Sequence, residues 1–144
     1  MSFDPDSPFR ERLAGAPPLT IGSGPGAFVV VEWRDPGGGQ DPPMYVAPLH
    51  IHHDDDELWY VLEGTLTVRL DGEDHSISSG GAVMARRGVA HTYWNPRPEP
   101  CRYLLVMTQR IKELIDAIHA SEDRSAEGMS RVFAAHDSEY LGWP

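Results

Sequence analysis

Short runs of β-branched and aromatic residues follow one another along most of the chain. Between Phe28 and Thr108 they read AFVVVEW, MYVAPLHIH, ELWYVLEG, LTVRL, HSI, AVMA, HTYWN and RYLLVMT. Segments rich in turn-forming residues separate them, among them DPGGGQDPP, SSGG and NPRPEP. Short strands and turns at this spacing are typical of antiparallel sandwiches and barrels. The sequence therefore predicts an all-β architecture for this region.

The periodicity changes after this region. Apolar residues recur at helical spacing in two segments that the polar stretch ASEDRSAEG separates: Ile111, Leu114, Ile115 and Ile118, then Met129, Val132 and Phe133. Such a stripe is the buried face of an amphipathic helix. We therefore expect two short C-terminal α-helices that cover an open face or end of the β-structure.

The length of 144 residues allows one domain. Residues 1–18 are rich in proline and charge and show no periodicity, so we interpret them as an extended N-terminal arm. Residues 19–109 form the predicted β-barrel, and residues 110–144 the helical extension packed on it.

The charge of the chain excludes several classes of partner. Twelve Lys and Arg stand against 22 Asp and Glu, a net charge of −10 that repels nucleic acid and anionic lipid. No apolar stretch has the length of a membrane span or signal peptide. The single Cys101 has no internal partner for a disulfide, which fits a reducing compartment. We expect a cytoplasmic protein that binds neither nucleic acid nor membrane.

The stretch HIHHDDDELWYVLEG, at positions 50–64, is the strongest candidate site. Residues i and i+2 of a strand share a face, so His50 and His52 project together and His53 points away. Glu57 begins the following strand, and its carboxylate can point back towards the imidazoles of His50 and His52. His91, which begins the run HTYWN, is the candidate fourth ligand.

Imidazole and carboxylate donors suit transition metal ions, and three His with one Glu leave coordination positions open for substrate, water or dioxygen. Taken alone, His91 is more often a packed or capping histidine than a ligand, and the pair His50 and His52 favours neither interpretation. The complete set of four favours a metal site.

Two spacing patterns carry a resemblance to a known family. The pattern H-x-H-x4-E-x6-G is met by His50, His52, Glu57 and Gly64, and it resembles the first cupin motif. The pattern G-x5-P-x-G-x2-H-x3-N is similar to the second and is met by Gly80, Gly88, His91 and Asn95. The chain departs from the family at Met44, where cupins carry a glycine, and at Arg86, where they carry a proline.

The resemblance implies a double-stranded β-helix, the cupin jelly-roll barrel. It also implies one divalent transition metal ion per chain (Fe, Mn, Ni, Co, Cu or Zn), held by His50, His52, Glu57 and His91. Small single-domain members commonly pair, so a homodimer is expected.

Strand parity predicts the residues that line a substrate cavity beside the ion. Met44 and Val46 share the parity of His50, Trp59 that of Glu57, and Tyr93 that of His91. Arg86 offers a guanidinium fork for a carboxylate or phenolate substrate. Two alternatives stay open: Trp59 as plain core filling, and Arg86 as part of a surface turn. His53 and the aspartates 54–56 are interpreted as a solvated bend.

We hypothesise a metal-dependent dioxygenase-type enzyme that acts on a small aromatic or enol substrate, with Glu57 as ligand and catalytic base. One alternative is a non-redox lyase, isomerase or cyclase in which the ion polarises a carbonyl. Another is a module that binds a small molecule without catalysis.

Overall fold

The computed structural model describes residues 18–22 and 24–144, so the predicted arm lies outside the described residues except for Pro18. Ten strands and two helices form within the described part. The strands are β1 (Leu19–Ile21), β2 (Phe28–Asp35), β3 (His50–His52), β4 (Glu57–Glu63), β5 (Thr65–Leu70), β6 (Glu73–Ser78), β7 (Ala82–Ala85), β8 (His91–Trp94), β9 (Cys101–Thr108) and β10 (Ser138–Tyr140). The helices are α1 (Gln109–Ala120) and α2 (Ala126–Ala134).

The strands form two five-stranded antiparallel sheets. The first has the order β1-β2-β9-β4-β7, and the second has the order β10-β3-β8-β5-β6. Chain neighbours such as β3 and β4 lie in different sheets, so the chain alternates between the two layers, as a jelly roll requires. The all-β prediction with two C-terminal helices is confirmed.

The core lies between the sheets because apolar residues alternate along the strands. In β9 every second residue is buried, and Tyr103 and Leu105 face the interior beside Trp59 and Val61 of β4. Burying a large apolar side chain stabilises a fold by about 1.5–3 kcal/mol. This alternation therefore fixes which face of each strand points towards the site.

The outward face of the first sheet is also apolar at its centre. Val30, Val106, Leu58 and Met84 form one row across β2, β9, β4 and β7, and Leu104 pairs with Tyr60 in the next row. These side chains are half-buried or exposed. We call these six residues the outer patch.

The two helices begin at hydroxyl caps. Thr108 Oγ1 accepts a hydrogen bond from the Ile111 amide, and Ser125 Oγ accepts one from the Gly128 amide, which satisfies amides that a helix leaves unpaired. After α2, the strand β10 pairs with β3 at the edge of the second sheet. The sequence did not predict this strand, and the proposed domain boundary at residue 109 remains a prediction. Neither helix is long and apolar enough to cross a membrane.

Candidate metal centre

Three elements from two sheets bring the predicted ligands together. His50 and His52 are the first and last residues of β3, and His91 opens the neighbouring β8, where it pairs with His50. Glu57 opens β4 in the opposite sheet. All four side chains are buried, and their candidate ligand atoms lie within 4.8 Å of one another.

The imidazole Nε2 atoms converge on the carboxylate. Glu57 Oε2 lies 3.0 Å from His91 Nε2 and 3.2 Å from His52 Nε2. The Nε2 atoms of His50 and His52 are themselves 3.2 Å apart. Four ligand atoms therefore face a common point from both sheets.

The opposite ring nitrogens fix the tautomer of each histidine. His50 Nδ1 lies 2.7 Å from the Pro48 carbonyl, and His91 Nδ1 lies 2.9 Å from the Val89 carbonyl. A carbonyl only accepts, so both Nδ1 atoms carry the proton. His52 Nδ1 lies 2.7 Å from Ser138 Oγ, whose own proton is directed to the His136 carbonyl. The serine oxygen therefore accepts from His52.

This tautomer assignment shows that the residues fit a metal ion. With every Nδ1 protonated, each neutral imidazole presents its Nε2 lone pair to the centre, where Glu57 adds a further acceptor. Among the described residues, no other side chain donates a hydrogen bond to this point, so a cation bound between these lone pairs would satisfy them. Nδ1–H bonds to carbonyls and hydroxyls are also the usual support of metal-bound histidines. A buried cluster of three His and one Glu fits a single transition metal ion.

The electrostatics keep the ligands in their metal-binding forms. Burial lowers the pKa of His50, and the neighbouring His91 and His52 lower it further. Burial by itself raises the pKa of Glu57, but the close contacts of its carboxylate with the imidazoles of His52 and His91 outweigh this effect, and the pKa falls below its ordinary value. At neutral pH, His50 is therefore neutral and Glu57 is ionised, as metal ligation requires.

A cavity of about 50 Å³ adjoins the cluster. The barrel contributes Ala47, Pro48 and Tyr93 beside the ligands His50, His52 and Glu57. The two helices contribute the opposite side, which we call the helical wall: Ile111, Leu114, Ile115, Ile118 and Phe133. The Phe133 ring lies 5.4 Å from the His50 ring. The open side of the cluster thus faces hydrocarbon.

Of the residues predicted to line the cavity, Tyr93 does so. Trp59 is completely buried in the core, with its ring 5.6 Å from that of His91 and 5.2 Å from that of Tyr93. The Trp59 ring packs against both of these rings and does not line the cavity. Val46 is half-buried and packs against the core, also outside the lining.

Met44 and Arg86 do not reach the cavity, and the inward orientation predicted for Met44 is wrong. Met44 is 64% exposed. Strand parity failed there because β3 begins only at His50, and parity does not extend through the irregular segment before it. Arg86 is exposed in the turn between β7 and β8, where its carbonyl accepts a hydrogen bond from the Val89 amide.

Asp55 corrects the prediction of a wholly solvated bend. His53 and Asp54 are exposed, but Asp55 is only 6% exposed, and its Oδ2 lies 2.7 Å from Nε of Arg110 in α1. The ligand-bearing bend is therefore tied to the first helical turn. Neither this pair nor Ser138 had a signal in the sequence, because both contacts join distant parts of the chain.

Two motif residues that bind no metal shape the loops. Gly64, between β4 and β5, has φ +78°, and a Cβ there would lie 2.5 Å from the Pro100 carbonyl oxygen. The Asn95 amide donates to the Glu99 carbonyl, and its Oδ1 accepts from the Arg97 amide. These contacts close the turn between β8 and β9 that follows the His91 strand.

Comparisons with known proteins agree with this geometry. Residues 34–107 match the cupin domain family. No curated protein matches the chain. A conserved Klebsiella pneumoniae protein with a double-stranded β-helix domain is similar in structure, with a TM-score of 0.52 at 22% identity over 69% of this chain and 82% of that one.

Two further solved structures share the fold. For a cupin protein from Bacteroides fragilis the TM-score is 0.53 at 16% identity, covering 68% of this chain and 82% of that one. For the Cnp3 cupin domain of Schizosaccharomyces pombe it is 0.52 at 14% identity, covering 74% and 73%. Identities this low establish the common fold alone.

Proposed function

This chain belongs to the cupin family, and we propose that it is a metal-dependent enzyme of the dioxygenase type that acts on a small organic substrate. The observation that carries the proposal is the convergence of three Nε2 lone pairs and one carboxylate on a point that faces a small, largely apolar cavity. A structural metal site needs no such cavity, because closed coordination suffices to stabilise a fold.

A redox-active ion in this cluster supplies the electron exchange with dioxygen that such a reaction requires. In a dioxygenation, both oxygen atoms enter the substrate. The four-electron reduction of dioxygen is then matched by a four-electron oxidation of the substrate, so no external reductant is consumed.

The protein's own groups have defined tasks in this proposal. The helical wall excludes water from the reacting face, which strengthens the electrostatic interactions within it. Burial, and then the charge of Glu57, raise the pKa of the Tyr93 hydroxyl, so it stays protonated at neutral pH. Glu57 is the carboxylate on the cavity lining, and we assign it as ligand and base.

Oxygen consumption tests the proposal. The purified protein should contain about one transition metal ion per chain by elemental analysis. An oxygen electrode should then record substrate-dependent uptake, one dioxygen per product molecule, that is lost in His50→Ala. Turnover that continues unchanged without oxygen would contradict dioxygenase chemistry.

A non-redox lyase, isomerase or cyclase is the second candidate. It is favoured by the presence of a tyrosine, Tyr93, and a carboxylate, Glu57, among the lining residues of one small cavity, since proton movement needs an acid and a base. In that case zinc-loaded protein should be active, and anaerobic and aerobic rates should agree. Metal retention with no turnover by any metal form would favour a non-catalytic binding protein instead.

A further inference from the structure

The helical wall gives the cavity its size. The side of the cavity opposite the metal cluster consists of the five apolar side chains of the helical wall. Among the described residues on the lining, the groups that can form polar contacts with a ligand are the cluster itself and Tyr93. Apart from the cluster, the described part of the chain places no charged side chain on the lining to receive a distant polar group of a substrate.

The wall is anchored to the strand that carries the ligands. After α2 the chain pairs with β3, so that Ser138, Glu139 and Tyr140 face His52, Ile51 and His50. Two backbone hydrogen bonds continue the connection, from Leu49 to Gly142 and from Leu141 to Leu49. The shape of the cavity is therefore set together with the metal site.

A second attachment holds the other end of the wall. Arg110, in the first turn of α1, pairs with the buried Asp55 of the bend between β3 and β4. The next residue, Ile111, is 2% exposed and belongs to the barrel core. Both helices are thus attached to the segments that carry the ligands, so the position of the helical wall over the cluster follows from these contacts.

That volume excludes rings. A cavity needs about 10–15 Å³ to hold one water molecule, and an apolar cavity that takes up benzene has about 150 Å³. The cavity here has about 50 Å³, part of which the ion itself occupies. A few heavy atoms fit in the remainder, and an aromatic ring does not.

We propose that the substrate is a short aliphatic molecule with a single oxygen-bearing head group at the metal, and that Leu114, Ile118 and Phe133 set its maximum length. The head group is a carboxylate, carbonyl or enol that contacts the cluster and Tyr93. The alkyl portion contacts the helical wall. This proposal rests on the metal site of the proposed function. Of the two substrate classes expected from the sequence, it retains the enol and excludes the aromatic.

Ligand binding without turnover tests this inference separately from catalysis. Protein loaded with Co²⁺ is titrated with acetate, propanoate, butanoate, hexanoate and benzoate, and the visible absorption of the ion reports occupancy. We expect acetate or propanoate to bind at least tenfold more tightly than hexanoate or benzoate. Because no oxygen is involved, a failed oxygen-uptake assay leaves this result unaffected.

Wall variants then move the size limit. Ile118→Ala, at a half-buried position, and Phe133→Leu, which keeps an apolar side chain, should tighten hexanoate or benzoate binding at least fivefold relative to acetate binding. Asp116→Ala, on the exposed side of α1, is the matched control and should leave the order of affinities unchanged.

Three results would overturn the inference. The first is benzoate binding to the parent protein as tightly as propanoate, which would mean that the side chains of the helical wall move to admit an aromatic ring. The second is an unchanged length limit in both folded wall variants. The third is a cobalt spectrum that no carboxylate alters, which would mean that the open positions do not face the cavity.

Discussion

Ser138 Oγ lies 2.7 Å from Nδ1 of His52, although 86 residues separate them in the chain. The contact joins β10, which follows the two helices, to a metal ligand in β3. Because the hydroxyl accepts the Nδ1 proton, it leaves the Nε2 lone pair free for the ion.

Ser138→Ala should lower metal affinity 10- to 100-fold, the usual effect of removing such a support. Competition with a chromophoric chelator measures it. Ser138→Thr keeps the hydroxyl and should recover much of the loss, and Ser79→Ala, which removes an exposed hydroxyl bonded to the Leu62 carbonyl, serves as control. An affinity within twofold of the parent in Ser138→Ala would show that the contact does not orient His52.

Metal should raise the melting temperature through the four ligands. An ion that binds only the folded state adds about 2.7 kcal/mol when its free concentration is one hundred times its Kd. The rise in Tm on adding metal should disappear in His91→Ala and persist in His75→Ala, which alters an exposed histidine. An equal metal-dependent rise in Tm in both variants would show that the ion binds at a site other than the four predicted ligands.

The pair of the buried Asp55 and the partly exposed Arg110 should stabilise the fold more than a fully exposed ion pair does. Arg110→Ala leaves a buried carboxylate without its main partner, which costs about 1–3 kcal/mol, whereas the exposed pair of Arg131 and Asp123 should contribute about 0–1 kcal/mol. Urea unfolding of Arg110→Ala and Arg131→Ala measures both. Equal losses would mean that water reaches Asp55 freely.

Alkaline pH should destabilise the protein through Cys101. Burial raises the pKa of this thiol from 9.0 to about 11. Between these values the unfolded chain loses the proton that the folded chain keeps, so stability is full below pH 9 and falls as pH rises towards 11. Each pKa unit corresponds to about 1.4 kcal/mol.

The measurement is the urea midpoint at pH 8 and pH 10, with Cys101→Ala showing the smaller decline. The native thiol should also resist a disulfide reagent at pH 8 that modifies the unfolded chain. Rapid modification of the native protein would contradict the raised pKa.

The homodimer expected from the sequence should use the outer patch. An exposed apolar sheet face of this kind is a site of protein association, and two copies can stack their sheets about a twofold axis. Leu104→Glu places a charge within the outer patch and should give monomers by light scattering after gel filtration. Ser78→Glu, on an exposed position of β6, should remain dimeric. A monomeric parent protein would refute the dimer.

The site residues that could be predicted from the sequence differ physically from those that could not. His50 and His52 were predictable from strand parity, and Glu57 and His91 from the two motif spacings that resemble those of cupins. Asp55 and Ser138 were not, because each acquires its role from a partner far along the chain. The three residues of β10 are too few to show a periodicity.

The helical stripe was read correctly as a buried face, but the sequence did not indicate what it covers. Ile111 and Leu114 would form the same pattern over any apolar surface. Their position over the metal cluster depends on how α2 returns the chain to β3, which is a property of the tertiary structure.

The attachment of β10 to β3 also orders events during biosynthesis. A ribosome releases His50, His52, Glu57 and His91 well before Ser138, so all four ligands leave the exit tunnel while His52 still lacks its hydroxyl partner and β3 its edge neighbour. An ion captured at that stage meets a partly assembled, water-exposed cluster. Full metal affinity would therefore depend on the pairing of β10 with β3, which brings Ser138 to His52.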